Sequence, residues 1–216
     1  MNFLKEKLTN YCEAHTSPQS NVLYELERET HLTTLAPQMI SGFYQGRLLS
    51  FLSKMKRPKS ILEIGTFTAY AAICLAEGLD ENGLLHTIEI NEELESIIRK
   101  YIQKAKLENK IKVYIGNAHN IIPTIDSKFD MAFIDAAKFD YEFYYEMVLE
   151  KMNTDGIILA DNVLWSGKVL DESHQDEDTK ALRAFNQKIQ NDPRVENILL
   201  PIRDGLMLIR KLFGSS

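Results

Sequence analysis

From Ser60 onward, short runs of almost unbroken apolar residues alternate with stretches whose apolar positions recur every three or four residues. Ser60-Ile-Leu-Glu-Ile-Gly65 reads as a buried strand, followed by a helix over Ala69–Leu79 and a second strand over Leu84–Ile90. Asn91 is placed to cap the next helix, with Glu92 and Glu93 in its first turn, where acids favour the positive end of the helix dipole. Leu94, Ile97, Ile98, Tyr101, Ile102 and Ala105 form one apolar face of that helix. The pattern then predicts strands over Ile111–Ile115, Met131–Asp135 and Gly156–Asn162, with a helix over Tyr141–Met152 between the last two. A helix begins near Asp178 and stops before Asp192-Pro193. Two strands, Val195–Ile202 and Gly205–Leu212, follow, joined by a turn at Arg203-Asp204.

Alternating strands and helices with continuously apolar strands imply an α/β fold: a mostly parallel, Rossmann-like sheet with helices on both faces. The final pair has no helix between its strands, so it is expected as an antiparallel hairpin at one edge. Residues 1–59 carry no strand signal; Val22, Leu23 and Leu26, then Leu48, Leu49, Leu52 and Met55, suggest two or three helices packed on the sheet. The expectation is one domain, a helical extension over 1–59 leading into a core over 60–216.

Composition narrows the class without naming a chemistry. The 216 residues are 44% hydrophobic and 26% charged, enough for a core that needs no disulfide or structural metal. Ten Gly and six Pro in a well-mixed chain exclude collagen-like and disordered classes. The longest uninterrupted apolar run, Tyr70–Ala76, is too short to span a bilayer. Met1–Lys7 shows no apolar leader, and Cys12 and Cys74 match no metal spacing; both read as reduced, buried thiols, and the expected location is cytoplasmic. A net charge of −6 disfavours a dedicated nucleic-acid binder, although a local basic patch stays open.

In an open parallel sheet, ligands sit beyond the carboxyl ends of the strands where the strand order reverses. Acids close most of these ends: Glu63, Glu89, Asp135 and Asp161. Any one of them could merely cap the next element. The loop Glu63-Ile-Gly-Thr-Phe-Thr-Ala69 keeps only Gly65 of a dinucleotide fingerprint, and a carboxylate beside a pyrophosphate is unfavourable, so a nicotinamide dehydrogenase is opposed. A carboxylate at Glu63 suits a cationic or hydroxyl-bearing ligand; Glu89 stands where a ribose diol is gripped, or is a solvated loop charge. Asp135, Asp161 and Asn162 close two strands expected to be neighbours and together make a hard, all-oxygen set suited to Mg²⁺ or Ca²⁺. Lys138 could reach the same cleft or be a surface lysine, and His119 reads alone as a polar contact.

Four segments carry a resemblance: Leu62-Glu-Ile-Gly-Thr-Phe-Thr-Ala-Tyr70, Phe129-Asp-Met-Ala-Phe-Ile-Asp-Ala-Ala-Lys138, Asp161-Asn-Val-Leu-Trp-Ser-Gly-Lys-Val169 and Pro201-Ile-Arg-Asp-Gly-Leu206. In this order, from about Met39 to Lys211, the chain resembles the cation-dependent, S-adenosylmethionine-dependent O-methyltransferases, the catechol and caffeoyl-CoA type and their bacterial relatives; Gln45-Gly46 also fits. The resemblance implies a seven-stranded sheet with an antiparallel last strand, S-adenosylmethionine and a divalent cation (Mg²⁺, with Ca²⁺ or Mn²⁺ as alternatives) as cofactors, and a homodimer. Carried over by motif, Asp135, Asp161 and Asn162 are the metal ligands and Lys138 the general base. Glu63, Gly65 and Thr66 line the methionine part of the cofactor, near Asp135, and Glu89 its ribose. Ala118 and His119 border the adenine, Met39 and Ala71 touch the cofactor from the other side, and Trp165 is an aromatic wall beside the acceptor ring or a core tryptophan.

Three positions depart from the pattern: Ala69 replaces a glycine, Ala71 a serine and Ala137 a frequent second acid. The expected reaction moves a methyl group to a catechol-like vicinal dihydroxyaromatic. A tRNA hydroxyuridine methyltransferase is the first rival, favoured by the Asp-Ala-Ala-Lys form of the motif; a non-catalytic cofactor-binding protein is the second. The segment Asp171–Asp178, five acids in eight residues, would repel a polyanion at the cleft mouth, which favours a small phenolic acceptor over nucleic acid, with no membrane partner.

Overall fold

The computed structural model describes the backbone of residues 2–213 and the side chains of 7–213, so the reading of the first residues as leaderless lies mostly outside the described part. Three helices lead the chain: α1 (Asn2–Ala14), α2 (Asn21–Thr33) and α3 (Gly42–Lys56). They are followed by β1 (Ser60–Ile64), α4 (Tyr70–Ala76), β2 (Leu84–Glu89), α5 (Glu95–Lys104), β3 (Ile111–Ile115), α6 (Ala118–Ile121) and β4 (Phe129–Ile134). The remaining elements are α7 (Tyr141–Lys151), β5 (Met152–Asp161), α8 (Glu177–Asn191), β6 (Val195–Leu200) and β7 (Leu206–Lys211). The strands form one seven-stranded sheet in the order β3-β2-β1-β4-β5-β7-β6. β3 through β5 run parallel, and β7 lies antiparallel between β5 and β6.

Both faces of the sheet are buried, which is why its central strands are apolar without alternation. The period of two splits them cleanly. Leu62, Ile64, Ala132, Ile134, Ile158 and Ala160 enter one core together with α7 and α8. Ile61, Met131, Phe133 and Leu159 enter the other with α2, α3, α4 and α5. Glu63, in register with Phe133, points into this second core, and there it is fully buried.

Helix starts follow local chemistry. Asn91 accepts a hydrogen bond from Glu93 N at 3.0 Å, in a 3₁₀ turn that opens into α5, and Asp176 caps α8 through Thr179 N at 3.1 Å. Several boundaries differ from the sequence pattern. α4 stops at Ala76, and β5 starts four residues early at Met152, because the chain enters the strand directly from α7 through a register shift opposite Phe129–Met131. Met55 is 70% exposed instead of core, and Cys12 is half-buried instead of buried; both cysteines are free thiols. Among the described residues no helix is long and apolar enough to cross a membrane.

The sheet order reverses between β1 and β4, so a crevice opens beyond their carboxyl ends. The loop leaving β1 is sharply bent there: Gly65, Phe67 and Ala69 all have positive φ, at 95°, 50° and 74°. A Cβ on Gly65 would sit 1.8 Å from the carbonyl oxygen of Asp135, so the two strand ends approach closely only because this residue has no side chain. Gly65→Ala is expected to lower unfolding free energy by about 2–4 kcal/mol, through backbone strain plus overpacking, read from the denaturant midpoint.

Candidate active site

The crevice is a narrow cleft between the loop after β1 and a strap that joins α2 to α3. Met39, Gly65, Thr66, Ala71 and Asp135, all candidate cofactor residues, line it together with Ile40, Ser41 and Phe67. Glu63 and Glu89 stand behind the loop. Glu89 is buried at the end of β2, where Oε2 accepts from Phe67 N at 2.7 Å and Oε1 from Asn91 N at 2.9 Å. Burial lifts its carboxyl above the usual range, and the backbone N–H groups partly offset the rise. Glu89 therefore holds the bent loop in place.

Glu63 differs from the anionic carboxylate expected at this position. Burial pushes its carboxyl up to about 8, with the charges of Asp135 and Glu89 adding to the rise, so the fold favours its protonated form. Its Oε2 accepts from the Thr87 hydroxyl, and Thr87 in turn meets the Thr66 hydroxyl at 2.5 Å. Its Oε1 is buried with no hydrogen-bond partner among the described residues. A polar atom left unpaired in a core is unfavourable and marks a site that a ligand's polar group would complete.

Ala118 and His119 begin α6, where Asn117 caps the helix through His119 N at 2.8 Å. The His119 ring stacks on Phe143 with centroids 4.3 Å apart, and its Nε2 lies 3.3 Å from Asp140 Oδ2.

The second constellation forms where β4 and β5 end side by side. Ile134 pairs with Ala160, which puts Asp135 and Asp161 at the same level of the sheet. Lys138, 7% exposed, is held in a 3₁₀ turn just past β4. Its Nζ meets Asp135 Oδ1 at 3.1 Å, Asn162 Oδ1 at 3.0 Å and the Tyr141 hydroxyl at 2.7 Å. The Trp165 ring is half-buried: it packs against the core under α7 and α8 and also flanks the same amine, its centroid 5.8 Å from Nζ. Asp161 is 1% exposed; burial and the neighbouring Asp135 charge raise its carboxyl to about 6. Among the described residues no group of three or more His, Cys, Asp or Glu side chains is arranged to hold a metal. Two side-chain oxygens converge on Lys138, one carboxylate and one amide, while the Asp161 carboxylate accepts from Gln45 and from Asn162 N.

Two residues of this cluster were not among the sequence candidates. Tyr141 is fully buried and donates to the Asp161 carbonyl at 2.9 Å while accepting from Lys138, so it fixes the amine. Its only sequence signal is a tyrosine three residues after Lys138, on the inward face of a helix start. Gln45, fully buried on α3, donates to Asp161 Oδ2 at 2.6 Å across 116 residues of chain.

With this geometry in hand, comparison with known proteins is informative. Residues 13–212 match the model of the O-methyltransferase family. The chain is 34% identical over 160 residues to catechol O-methyltransferase of Niastella koreensis, covering 72% of each protein. It is 34% identical over 181 residues to tricin synthase 2 of Oryza sativa subsp. japonica, covering 78% of this chain and 62% of that protein. The crystal structure of the O-methyltransferase from Bacillus cereus in complex with SAH superimposes with a TM-score of 0.88 at 28% identity, covering 95% of this chain and 97% of that one. The chain belongs to the O-methyltransferase family, S-adenosylmethionine-dependent enzymes of the caffeoyl-CoA and catechol type.

The raised Glu63 carboxyl has a consequence for stability. A group whose folded value rises from 4.5 to about 8 stabilises the fold fully below the lower value and loses that contribution as pH rises through the upper one. Melting temperature of the ligand-free chain should therefore fall across that window. Glu63→Gln, which keeps the acceptor for Thr87 and cannot ionise, should flatten the decline; an unchanged profile would mean that Glu63 is ionised in the fold.

Proposed function

We propose that this enzyme methylates one hydroxyl of a small vicinal dihydroxyaromatic, with a divalent cation held by Asp135, Asp161 and Asn162. The observation that carries this reading is the convergence of hard oxygens on a cationic centre: Asp135 Oδ1 and Asn162 Oδ1 both lie within 3.1 Å of the Lys138 ammonium. Such a donor set suits Mg²⁺, Ca²⁺ or Mn²⁺ better than Zn²⁺. The raised carboxyl of Asp161 adds support, since a buried acid pair favours a balancing positive charge. When bound, the cation supplies Lewis acidity that eases loss of a proton from a chelated hydroxyl.

This chain's own residues do the rest. Asp135 and Asn162 would hold the cation with the oxygens that now face the Lys138 ammonium, which would leave Lys138 free to face the acceptor. Tyr141 keeps Nζ in place, and Lys138, after its ammonium has released a proton to solvent, receives the hydroxyl proton on the neutral amine. The acceptor oxygen then attacks the methyl carbon of S-adenosylmethionine in line. The strap and the loop after β1 hold the donor, and Trp165 offers a face to the acceptor ring; holding both reactants together supplies much of the rate.

A small acceptor is favoured over nucleic acid by the segment after Trp165. Arg183 binds the carbonyls of Lys168, Val169, Asp171 and His174, which anchors the segment while residues 171–177 stay exposed with their acids outward. A polyanion would meet these charges, whereas a neutral catechol would not.

Chelator is expected to abolish transfer to catechol and added Mg²⁺ to restore it, and Asp161→Ala should lose transfer while keeping its circular dichroism spectrum. Lys138→Ala is expected to lower turnover on the order of a hundredfold with SAH affinity nearly unchanged by calorimetry. Monophenols, which cannot chelate, should not be turned over. Full activity in excess chelator would sink the cation; efficient methylation of hydroxylated tRNA with steep salt inhibition, and none of catechol, would favour the nucleic-acid reading.

A further inference from the structure

The strap that closes one side of the cleft is tied to a distant part of the chain by a single side chain. Arg203 lies in the turn between β6 and β7, and its guanidinium reaches across to α3. Nη2 donates to the Ile40 carbonyl at 2.9 Å, Nη1 to the Ser41 carbonyl, and Nη1 also lies 3.5 Å from Gln45 Oε1. Ile40 and Ser41 line the cleft beside Met39, and Gln45 is the residue that donates to Asp161. The strap, the turn and the buried acid thus belong to one hydrogen-bonded set.

The base of this strut is fixed. Leu164 N donates to the Asp204 carbonyl at 2.8 Å, Val163 N to the Gly205 carbonyl at 3.1 Å, and Ser166 N to the Asp204 carboxylate. The turn is therefore bound to the segment that follows Asn162. A Cβ on Gly205 would come within 2.4 Å of the Leu164 side chain, which shows how closely the two segments fit.

Two features argue that the arginine is there for its reach. Its own φ is 50°, a left-handed conformation that glycine would adopt without strain. Its charge also sits at the N-terminus of α3, the end of a helix that disfavours a cation. Both are local disadvantages, and what sets against them is the pair of charge-assisted bonds to the strap carbonyls.

We propose that Arg203 is a positioning residue that holds the Met39–Ser41 strap closed against the cofactor, so that it sets cofactor affinity without touching the cofactor. The proposal rests on the cofactor lying in this cleft. It needs neither the cation nor the identity of the acceptor.

The test uses SAH binding by calorimetry, thermal melting, and hydrogen exchange of amides 39–42, with no acceptor or metal present. Arg203→Gly is the informative variant, since it relieves the positive φ while removing the strut. SAH affinity is expected to fall about tenfold, the loss of one charge-assisted bond, while the melting temperature holds or rises and the strap amides exchange faster. Arg203→Lys, which can reach one carbonyl, should bind with intermediate affinity, and Arg203→Met should match the glycine variant; these two carry the test if Arg203→Gly fails to fold. Wild-type SAH affinity in both Arg203→Gly and Arg203→Met would overturn the proposal. SAH binding to the wild type without slower exchange at the strap would place the cofactor elsewhere and overturn it as well. A wild type that binds SAH with slowed strap exchange yet fails to methylate catechol would support the strap and count against the cation reading alone.

Discussion

Concentrated negative charge under an apolar roof is the constraint on which the rest of this structure depends. Glu63, Asp135 and Asp161 lie at the ends of three adjacent strands, Glu63 and Asp161 almost without solvent access. Three ionised carboxylates so close together in a low-dielectric core repel one another and lose hydration. The fold answers with raised carboxyls at Glu63 and Asp161 and with the ammonium of Lys138 against Asp135. A positively charged ligand beside these carboxyls would relieve the same repulsion.

Neutral groups then fix the geometry that charge alone would leave loose. Tyr141 bridges Lys138 and the Asp161 carbonyl, Gln45 fills one side of Asp161, and the Asn162 amide N–H donates to Asp161 Oδ1 at 2.8 Å. Buried networks of this kind narrow the conformations of their members when every group is paired. Glu89 does the same for the loop after β1, using backbone N–H groups instead of side chains. The two halves of the cleft are thus held by different means, one by a carboxylate on backbone and the other by an arginine on carbonyls.

Ala69 illustrates how a departure from the family pattern is tolerated. The residue adopts a φ of 74° at the start of α4, where a glycine would be unstrained, and its methyl is fully buried in the core formed with α2 and α3. Left-handed backbone costs an L-residue about 1–2 kcal/mol, and burial of a methyl group returns about 0.8 kcal/mol of that. The loop keeps its bend because Glu89 grips Phe67 from the other side.

The sequence by itself determined the parallel sheet, the antiparallel final hairpin and the acids at the strand ends, because apolar runs, helical periodicity and turn residues are local signals. It also placed Asp135 beside Asp161, since both close strands of one sheet, and it marked Lys138 and Asn162 by motif. The tertiary structure alone decided that the Glu63 carboxyl is raised, since such a shift depends on how completely neighbouring elements exclude water. It alone brought Gln45 to Asp161 and Arg203 to the strap, contacts spanning 116 and more than 160 residues. Such contacts depend on how α3 is set against the sheet, and no periodicity within either segment records that placement.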